Sequence, residues 1–325
     1  MLADTPRDAQ FPYLPAEKFP FTAPYTAEEM GLRSAEFPHS PYWNCTLIDI
    51  ASTVTNTGFL DQRVTIIPIL YLPPGGFAEQ LYATKPGQEV FRWLSQSVSP
   101  PERYGNQTLY VGYRNDQAFT TKIDLFAYSP ALRRARRQPQ PRREDRLPNS
   151  AATFDDLLSR DAWEFSWRLL GTDILYKTVR FPVTKQSTTL TDEKGNYIDV
   201  AASDVKLMGP DYPLYTADGG VKSYVIEAIP RPEWLKDYYL SKIIYWVDQQ
   251  SFFPLRIEEY DREGKLVFIN ARTGIRANPA LGDHGYTVLF DLWWDMTIDL
   301  LSASIHGILL RSWSEEDKRI FFSPG

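Results

Sequence analysis

The chain has 325 residues and a formal net charge of −6, so it lacks the dominant basic surface that a nucleic-acid-binding protein needs. This length is enough for one large domain or two ordinary ones with a sizeable core. Aromatic residues make up 14% of the chain, which favours pleated strands and apolar or amphipathic binding surfaces.

Membrane and compartment signals are weak. No stretch approaches the ~20 apolar residues that span a bilayer, because charged residues interrupt even the most apolar run, residues 286–310. We therefore expect no transmembrane segment. Residues 1–6 lack the basic and apolar regions of a signal peptide, which predicts a cytosolic chain or a mature form with an added initiator methionine. The one cysteine, Cys45, cannot form an internal disulfide and is expected to be a small buried strand residue.

Residues 1–41 are rich in proline and aromatic residues. This composition predicts an extended arm packed across the body, because free disorder is usually poor in rings. Within the arm, Thr26 and Glu29 have the spacing of a capping box and predict one short helix.

A long hairpin is predicted next, with strands at 44–55 and 62–71 and a turn at 56–58. Pro68, inside the second run, indicates an edge strand or a bulge. An apolar stripe in residues 85–98 predicts a helix that Pro100 ends. Strands are expected at 108–114 and 120–128.

Residues 132–146 carry a run of arginines. It could bind an acidic headgroup, a membrane surface or a protein partner. The alternative is a solvated loop whose arginines pair with the nearby Asp155, Asp156 and Asp161. The candidates for partner or headgroup binding are Arg133, Arg134, Arg136, Arg137, Arg142 and Arg143.

Residues 163–169 alternate strictly, with Trp163, Phe165, Trp167 and Leu169 on one face of a predicted strand. Further strands are expected at 174–182 and 222–230. A meander follows at 242–248, 255–260 and 265–271. The first strand of the meander is apolar on both faces, which implies that both faces of the sheet are covered.

The sequence shows little sign of catalytic chemistry. The three histidines have no partners at metal-ligand spacing, and no nucleotide-binding or nucleophile motif is present, so we expect no cofactor and no metal. His306 is interpreted as a core histidine with satisfied hydrogen bonds. Each adjacent carboxylate pair, such as Glu258 and Glu259, is expected to have one buried and one solvated member. An enzyme would need a facing pair among Asp161, Glu164 and Glu258.

Short motifs from residue 130 onward resemble known families. The meander resembles the hairpins of the LolA/LolB-like lipoprotein-sorting superfamily, at Tyr245–Asp248, Phe253–Glu258 and Tyr260–Lys265. Over a longer span, from about 40 to 315, the chain resembles the bacterial family called domain of unknown function 1329, at Pro130–Arg134, Asp161–Phe165, Leu170–Asp173 and Asp211–Tyr215.

The resemblance implies a mainly β fold, with a strongly curved antiparallel sheet forming an open half-barrel over residues 42–325 and short helices covering its concave side. It also implies a periplasmic location, a hydrophobic or lipid-like ligand, and work with a membrane transporter and an outer-membrane protein. The candidates for lining an apolar cavity are Trp163, Phe165, Trp167, Tyr245, Trp246, Tyr260, Trp293 and Trp294. Each of these residues could instead fill the core.

Two other functions remain open. The chain could be an adaptor in an envelope export complex that binds no ligand and uses the arm and the arginine run as its contact surface. An enzyme acting on a lipid or glycan is the third hypothesis.

Overall fold

The structure is a computed structural model, and it describes residues 23–35, 45–58, 60–71, 87, 89–113, 122–175, 187–191, 197–201, 221–249, 252, 254–276, 286–310 and 313–323. Most of the arm, residues 1–22 and 36–41, lies outside these ranges, as do residues 176–182 and the motif at 211–215. The division into an arm and one domain stays a prediction. Within the described ranges no helix is long and apolar enough to cross a membrane.

Most of the described chain is antiparallel sheet. The strands are β1 (Cys45–Thr55), β2 (Leu60–Tyr71), β3 (Glu89–Ser99), β4 (Gln107–Tyr113), β5 (Ile123–Ser129), β6 (Arg134–Arg137), β7 (Phe165–Leu175), β8 (Ser187–Thr191), β9 (Tyr197–Ala201), β10 (Val221–Pro230), β11 (Leu240–Asp248), β12 (Pro254–Asp261), β13 (Leu266–Arg276), β14 (Tyr286–Asp295) and β15 (Leu300–Leu310). Thirteen of them form one sheet in the order β6-β5-β4-β3-β2-β1-β15-β14-β13-β12-β11-β10-β7, and β8 pairs with β9 separately.

The predicted hairpins and meander are confirmed. β1 and β2 pair along their length, and Gly58 in the turn has the positive φ of +81° that glycine tolerates best. Pro68, however, does not mark an edge, because β2 lies between β1 and β3. The β2–β3 ladder pairs Ile66 with Gln96 and is next paired at Ile69 with Trp93. Pro68, which has no N–H to donate, lies in the gap between these two pairs.

The helix predicted at 85–98 is wrong, because residues 89–99 form β3. The predicted stripe consists of Val90, Phe91, Leu94 and Val98, and a spacing of four places residues on one face of a regular strand as well as of a helix. Phe91 and Trp93 then lie on the opposite face, and the neighbouring strands β2 and β4 pair with both edges of β3. Pairing on both edges decided the structure.

Residues opposite each other in the register share a face, so the register divides the sheet into two faces. The face that carries Trp167, Ala228 and Ile243 is called the inner face here. The other, outer face carries Trp246 and Arg256.

The sheet curls strongly toward its inner face. Lys122, just before β5, forms ion pairs with Asp161 and with Glu164 (3.0 Å), both just before β7. β5 and β7 are the second and thirteenth strands, eleven strand spacings apart. In a flat sheet this separation would be about 50 Å. The two edge strands β6 and β7 do not pair, so the sheet stays open.

Two helices cover parts of the sheet. Helix α1 (Ala27–Ala35) begins with the predicted capping box, in which the Thr26 amide donates to Glu29 and the Glu29 amide donates to the Thr26 hydroxyl. It packs on the inner face over β7 and β10. Helix α2 (Glu315–Phe322) packs on the outer face, where Phe322 contacts Leu94 and Leu109.

Candidate ligand-binding face

The inner face has an apolar part formed by β7, β10, β11 and β12. Its residues form the main hydrophobic cluster: Phe165, Trp167, Ile226, Ala228, Ile243, Val247 and Ile257. Met30 and Leu32 of α1 cover this cluster. Gly31 allows the close approach, because a Cβ at that position would lie 2.2 Å from Cδ2 of the Trp167 indole. In the described part of the chain, α1 and the loop residues Leu235, Tyr238 and Phe252 therefore cover the apolar floor.

The middle of the inner face is polar. Five side chains from β1, β13, β14 and β15 form what we call the polar cluster: Asp49, Asn270, Arg272, Asp291 and His306. Nε of Arg272 lies 3.4 Å from Asp291, and the two imidazole nitrogens of His306 lie 3.4 Å from Asp291 and 3.7 Å from Asp49. Each member is buried or nearly so.

The hydrogen bonds of the polar cluster are incomplete. Six buried atoms of the polar cluster have no hydrogen-bond partner in the described part of the chain: Asp49 Oδ1, Asn270 Oδ1, Arg272 Nε, Asp291 Oδ1 and both nitrogens of His306. His306 lies in the core as predicted, but its two nitrogens face Asp291 and Asp49 without the hydrogen-bond geometry that was expected. Burial alone lowers the pKa of His306, but Asp291 and Asp49 outweigh it, so this pKa lies above its usual value.

Residues 138–164, which we call the strap, connect β6 to β7 across the inner face. The Asn149 carbonyl accepts hydrogen bonds from Thr53 (2.9 Å) and Arg63, and the Ala151 amide donates to Ser302 (2.9 Å). These bonds fasten the strap to the centre of the sheet. Further along the strap, Arg160 binds Glu259 of β12 (2.6 Å).

A buried charge network holds the end of the strap. Arg160 and Arg143 both bind Asp155 at 3.0 Å, and Arg143 also binds Glu164. The Tyr238 hydroxyl donates to Asp155. Burial opposes ionisation of Asp155, but the two guanidinium groups outweigh it and hold the pKa of Asp155 below its usual value. For Glu259 burial outweighs Arg160, and its pKa is raised well above the usual value.

The eight aromatic candidates do not lie together. Phe165, Trp167, Tyr245 and Trp293 are on the inner face, where Phe165, Trp167 and Trp293 are buried in the core. Trp246, Tyr260 and Trp294 are on the outer face. Trp163 lies in a 3-10 turn before β7 and packs edge-on against Trp234. The inner group alone lies under α1 and the strap.

The arginine run also divides. Arg143 binds Asp155 in the buried network, and Arg137 binds Asp124 at 2.6 Å. Arg142 is exposed and pairs with Glu144 and Asp145, whose side chains are also accessible to solvent. The remaining candidates, Arg133, Arg134 and Arg136, are exposed at edge strand β6.

The carboxylates suggested for an enzyme are separated. Asp161 and Glu164 share Lys122 beside β7, whereas Glu258 is on the outer face and accepts from Arg256 and Tyr260. The expectation of one buried and one solvated member is wrong for Glu258 and Glu259, since both are buried. Among the described residues no group of His, Cys, Asp and Glu could hold a metal ion.

Comparison with known proteins gives the family. The profile of a protein family of unknown function, DUF1329, matches residues 61–294, which is most of the chain. The chain belongs to the DUF1329 family. No curated protein sequence matches it.

Three solved structures resemble the chain at low sequence identity, and the two with TM-scores above 0.5 share its fold. A DUF1329 family protein from Desulfovibrio piger is 14% identical with a TM-score of 0.58, over 91% of this chain and 95% of the other. A domain provisionally assigned to outer membrane lipoprotein sorting, from Vibrio parahaemolyticus, is 16% identical with a TM-score of 0.55, over 91% and 97%. A LolA superfamily protein from Nitrosomonas europaea is 13% identical with a TM-score of 0.48, over 92% and 98%.

Sequence reasoning missed the polar cluster, apart from His306. Polar residues at inward positions of neighbouring strands were the available signal, because Asp49, Asp291 and His306 each interrupt an apolar run. The alignment of the strands was needed to place them side by side, since β1 and β14 are far apart in sequence.

Proposed function

We propose that this protein is a periplasmic carrier that binds a hydrophobic or lipid-like molecule on the inner face of its open sheet. One observation carries the proposal: the apolar floor around Trp167 and Ile243 is covered in the described structure by α1 and short loops. A short helix is easier to displace than a second sheet, because it buries less surface.

The covering helix can exchange with a ligand. α1 contributes two buried apolar side chains, Met30 and Leu32, to the cluster. Their burial is worth roughly 1.5–3 kcal/mol each, and an acyl chain or a fused-ring system that buries similar area regains about 25 cal/mol per Å². Release and uptake then differ by a small free energy, as a carrier requires.

The exposed edge of the sheet at β6 offers a place for a protein partner in this proposal. Arg134 and Arg136 lie in β6 and Arg133 directly precedes it, and all three are exposed. A membrane transporter or outer-membrane protein with an acidic surface would complement them. This exposed edge also favours the second candidate, an adaptor module that binds the transporter but no ligand.

An enzymatic role has less support. The ion pairs of Asp161 and Glu164 with Lys122 tie both carboxylates to the closure of the sheet. Glu258, on the other face, cannot act with them across one cleft. We therefore propose a non-enzymatic carrier.

Two neighbouring residues of β11 provide the test, because Tyr245 faces inward and Trp246 outward. The delipidated protein is titrated with a fluorescent fatty acid and a fluorescent sterol. We expect saturable binding that Tyr245→Ala weakens about tenfold or more and that Trp246→Ala leaves unchanged, with both variants shown to be folded by circular dichroism.

Three outcomes would contradict the proposal. The absence of binding to any hydrophobe would reject the carrier and favour the adaptor. Weaker binding in Trp246→Ala but not in Tyr245→Ala would move the site to the outer face. Equal weakening in both variants would indicate loss of structure rather than of a site.

A further inference from the structure

We infer that the polar cluster of Asp49, Asn270, Arg272, Asp291 and His306 binds an uncharged, hydroxyl-bearing headgroup of the cargo. The inference rests on the proposed carrier function and names the chemical class of its ligand. It places the polar end of an amphiphile at the middle of the inner face and the apolar end toward Trp167.

Open hydrogen-bonding atoms inside a protein indicate a missing partner. Asn270 is fully buried, and Asp291 and Asp49 are 7% and 9% exposed, yet each has an oxygen that accepts no hydrogen bond in the described structure. The oxygens of Asp291 and Asp49 have only ion-pair contacts, with Arg272 at 3.4 Å and with His306 at 3.7 Å. Leaving such an atom unpaired costs about 1–3 kcal/mol. Three such oxygens on one face of one sheet require an explanation, and a ligand that donates to them supplies one.

The cluster contains donors as well as acceptors. Arg272 has an unpartnered Nε, and its guanidinium lies over the Trp293 ring at 5.2 Å. His306 presents two ring nitrogens between Asp49 and Asp291. A ligand group that both donates and accepts matches this set, and a hydroxyl group does both.

The charges disfavour the other headgroups. A phosphate or carboxylate would face one guanidinium, Arg272, which already pairs with Asp291, and two carboxylates, Asp49 and Asp291, whose charges repel it. An ammonium group would face Arg272 and, beyond Asp49, Arg63, on the next strand. A neutral hydroxyl group pays neither penalty, since burying an uncompensated charge costs more than burying a neutral polar group.

The strap crosses the inner face beside the polar cluster rather than over it. It contacts β1 at Thr53 and β15 at Ser302, whereas Asp49 and His306 lie four residues further along the same two strands. Four residues of strand correspond to about 13 Å. The strap and the polar cluster therefore occupy successive positions on the inner face.

Three probes with the same oleoyl chain test the inference: monooleoylglycerol, oleate and oleylamine, which have neutral, anionic and cationic headgroups. We expect the wild-type protein to bind monooleoylglycerol about tenfold or more tightly than either charged probe, which corresponds to one hydrogen bond to a charged group. Asp291→Asn should abolish this preference while oleate still binds. Asp299→Asn, in the exposed turn between β14 and β15, should preserve the preference for monooleoylglycerol.

A spectroscopic measurement on the wild-type protein covers the case in which Asp291→Asn does not fold. The chain has three histidines, so His306→Gln assigns the His306 imidazole signals in a ¹⁵N-histidine spectrum. Monooleoylglycerol should shift these signals, and oleate should not. Equal affinities for the three probes, or unshifted His306 signals with bound monooleoylglycerol, would overturn the headgroup site and leave the carrier standing. Failure of all three probes to bind would reject the carrier itself.

Discussion

Gly31→Ala tests how α1 is held on the inner face, because two effects of the substitution have opposite signs. In an exposed helix the change stabilises by about 0.5–1 kcal/mol, since glycine loses more conformational freedom on folding. Here the new Cβ would lie 2.2 Å from the Trp167 indole. That ring packs against Phe165 and Tyr245, so it cannot retreat without moving the core.

We expect Gly31→Ala to lower the free energy of unfolding. Overpacking of a core costs about 1–3 kcal/mol. Subtracting the gain in helix propensity leaves a destabilisation of roughly 0.5–2 kcal/mol. Urea unfolding followed by circular dichroism measures it, and hydrogen exchange of the α1 amides shows whether the helix leaves the sheet.

Gly307→Ala is the matched control, because its Cβ would lie 3.7 Å from Ile48 Cβ, which is an ordinary contact. We expect no loss there. A Gly31→Ala variant that is as stable as Gly307→Ala, with unchanged hydrogen exchange of the α1 amides, would refute the close packing of α1 against Trp167. Combining Gly31→Ala with Trp167→Leu should restore the gain from helix propensity.

Three further predictions concern the buried groups. Arg160→Met should destabilise the fold by about 3–5 kcal/mol, since it removes the cation that the buried carboxyl groups of Asp155, Asp156 and Glu259 share. Arg142→Met should change stability by less than about 1 kcal/mol, because its ion pairs are exposed. Equal effects of the two substitutions in urea unfolding would contradict the network. The pKa of His306 is raised above 6.5 in the folded protein, so the stability that protonated His306 contributes is complete below pH 6.5 and is lost as the pH rises through the folded pKa. The difference in unfolding free energy between the wild type and His306→Gln should therefore shrink from pH 6 to pH 9. A difference that stays constant over this range would refute the prediction. Burial raises the pKa of Cys45 to about 12, so a thiol reagent should label it at neutral pH only on unfolding, and rapid labelling of the native protein would contradict its burial.

The sequence predicted much of the sheet because local signals and pairing agreed there. The turns at Gly58 and Gly264 both have positive φ and close hairpins where glycine was expected. In residues 89–99 the local pattern fitted two structures, and pairing with β2 and β4 selected the strand. Periodicity alone could not make that choice.

The candidate site was harder to predict, because a residue's face depends on register. Tyr245 and Trp246 are equally aromatic in sequence, yet they point to opposite sides of the sheet. The polar cluster joins Asp49 to Asp291 across 242 positions of sequence, and no local motif connects them. For Arg143 the sequence offered Asp155 as a partner, and that ion pair is present, but it lies in a buried network rather than in a solvated loop.

Photolabelling tests the central claim most directly. A fatty acid with a diazirine on its acyl chain is bound to the delipidated protein, irradiated, and mapped by peptide mass spectrometry. We expect labels on the inner-face residues of β7, β10 and β11 and on α1, and we expect unlabelled monooleoylglycerol to compete with this labelling. Labels confined to the outer face, around Trp246 and Trp294, would contradict it.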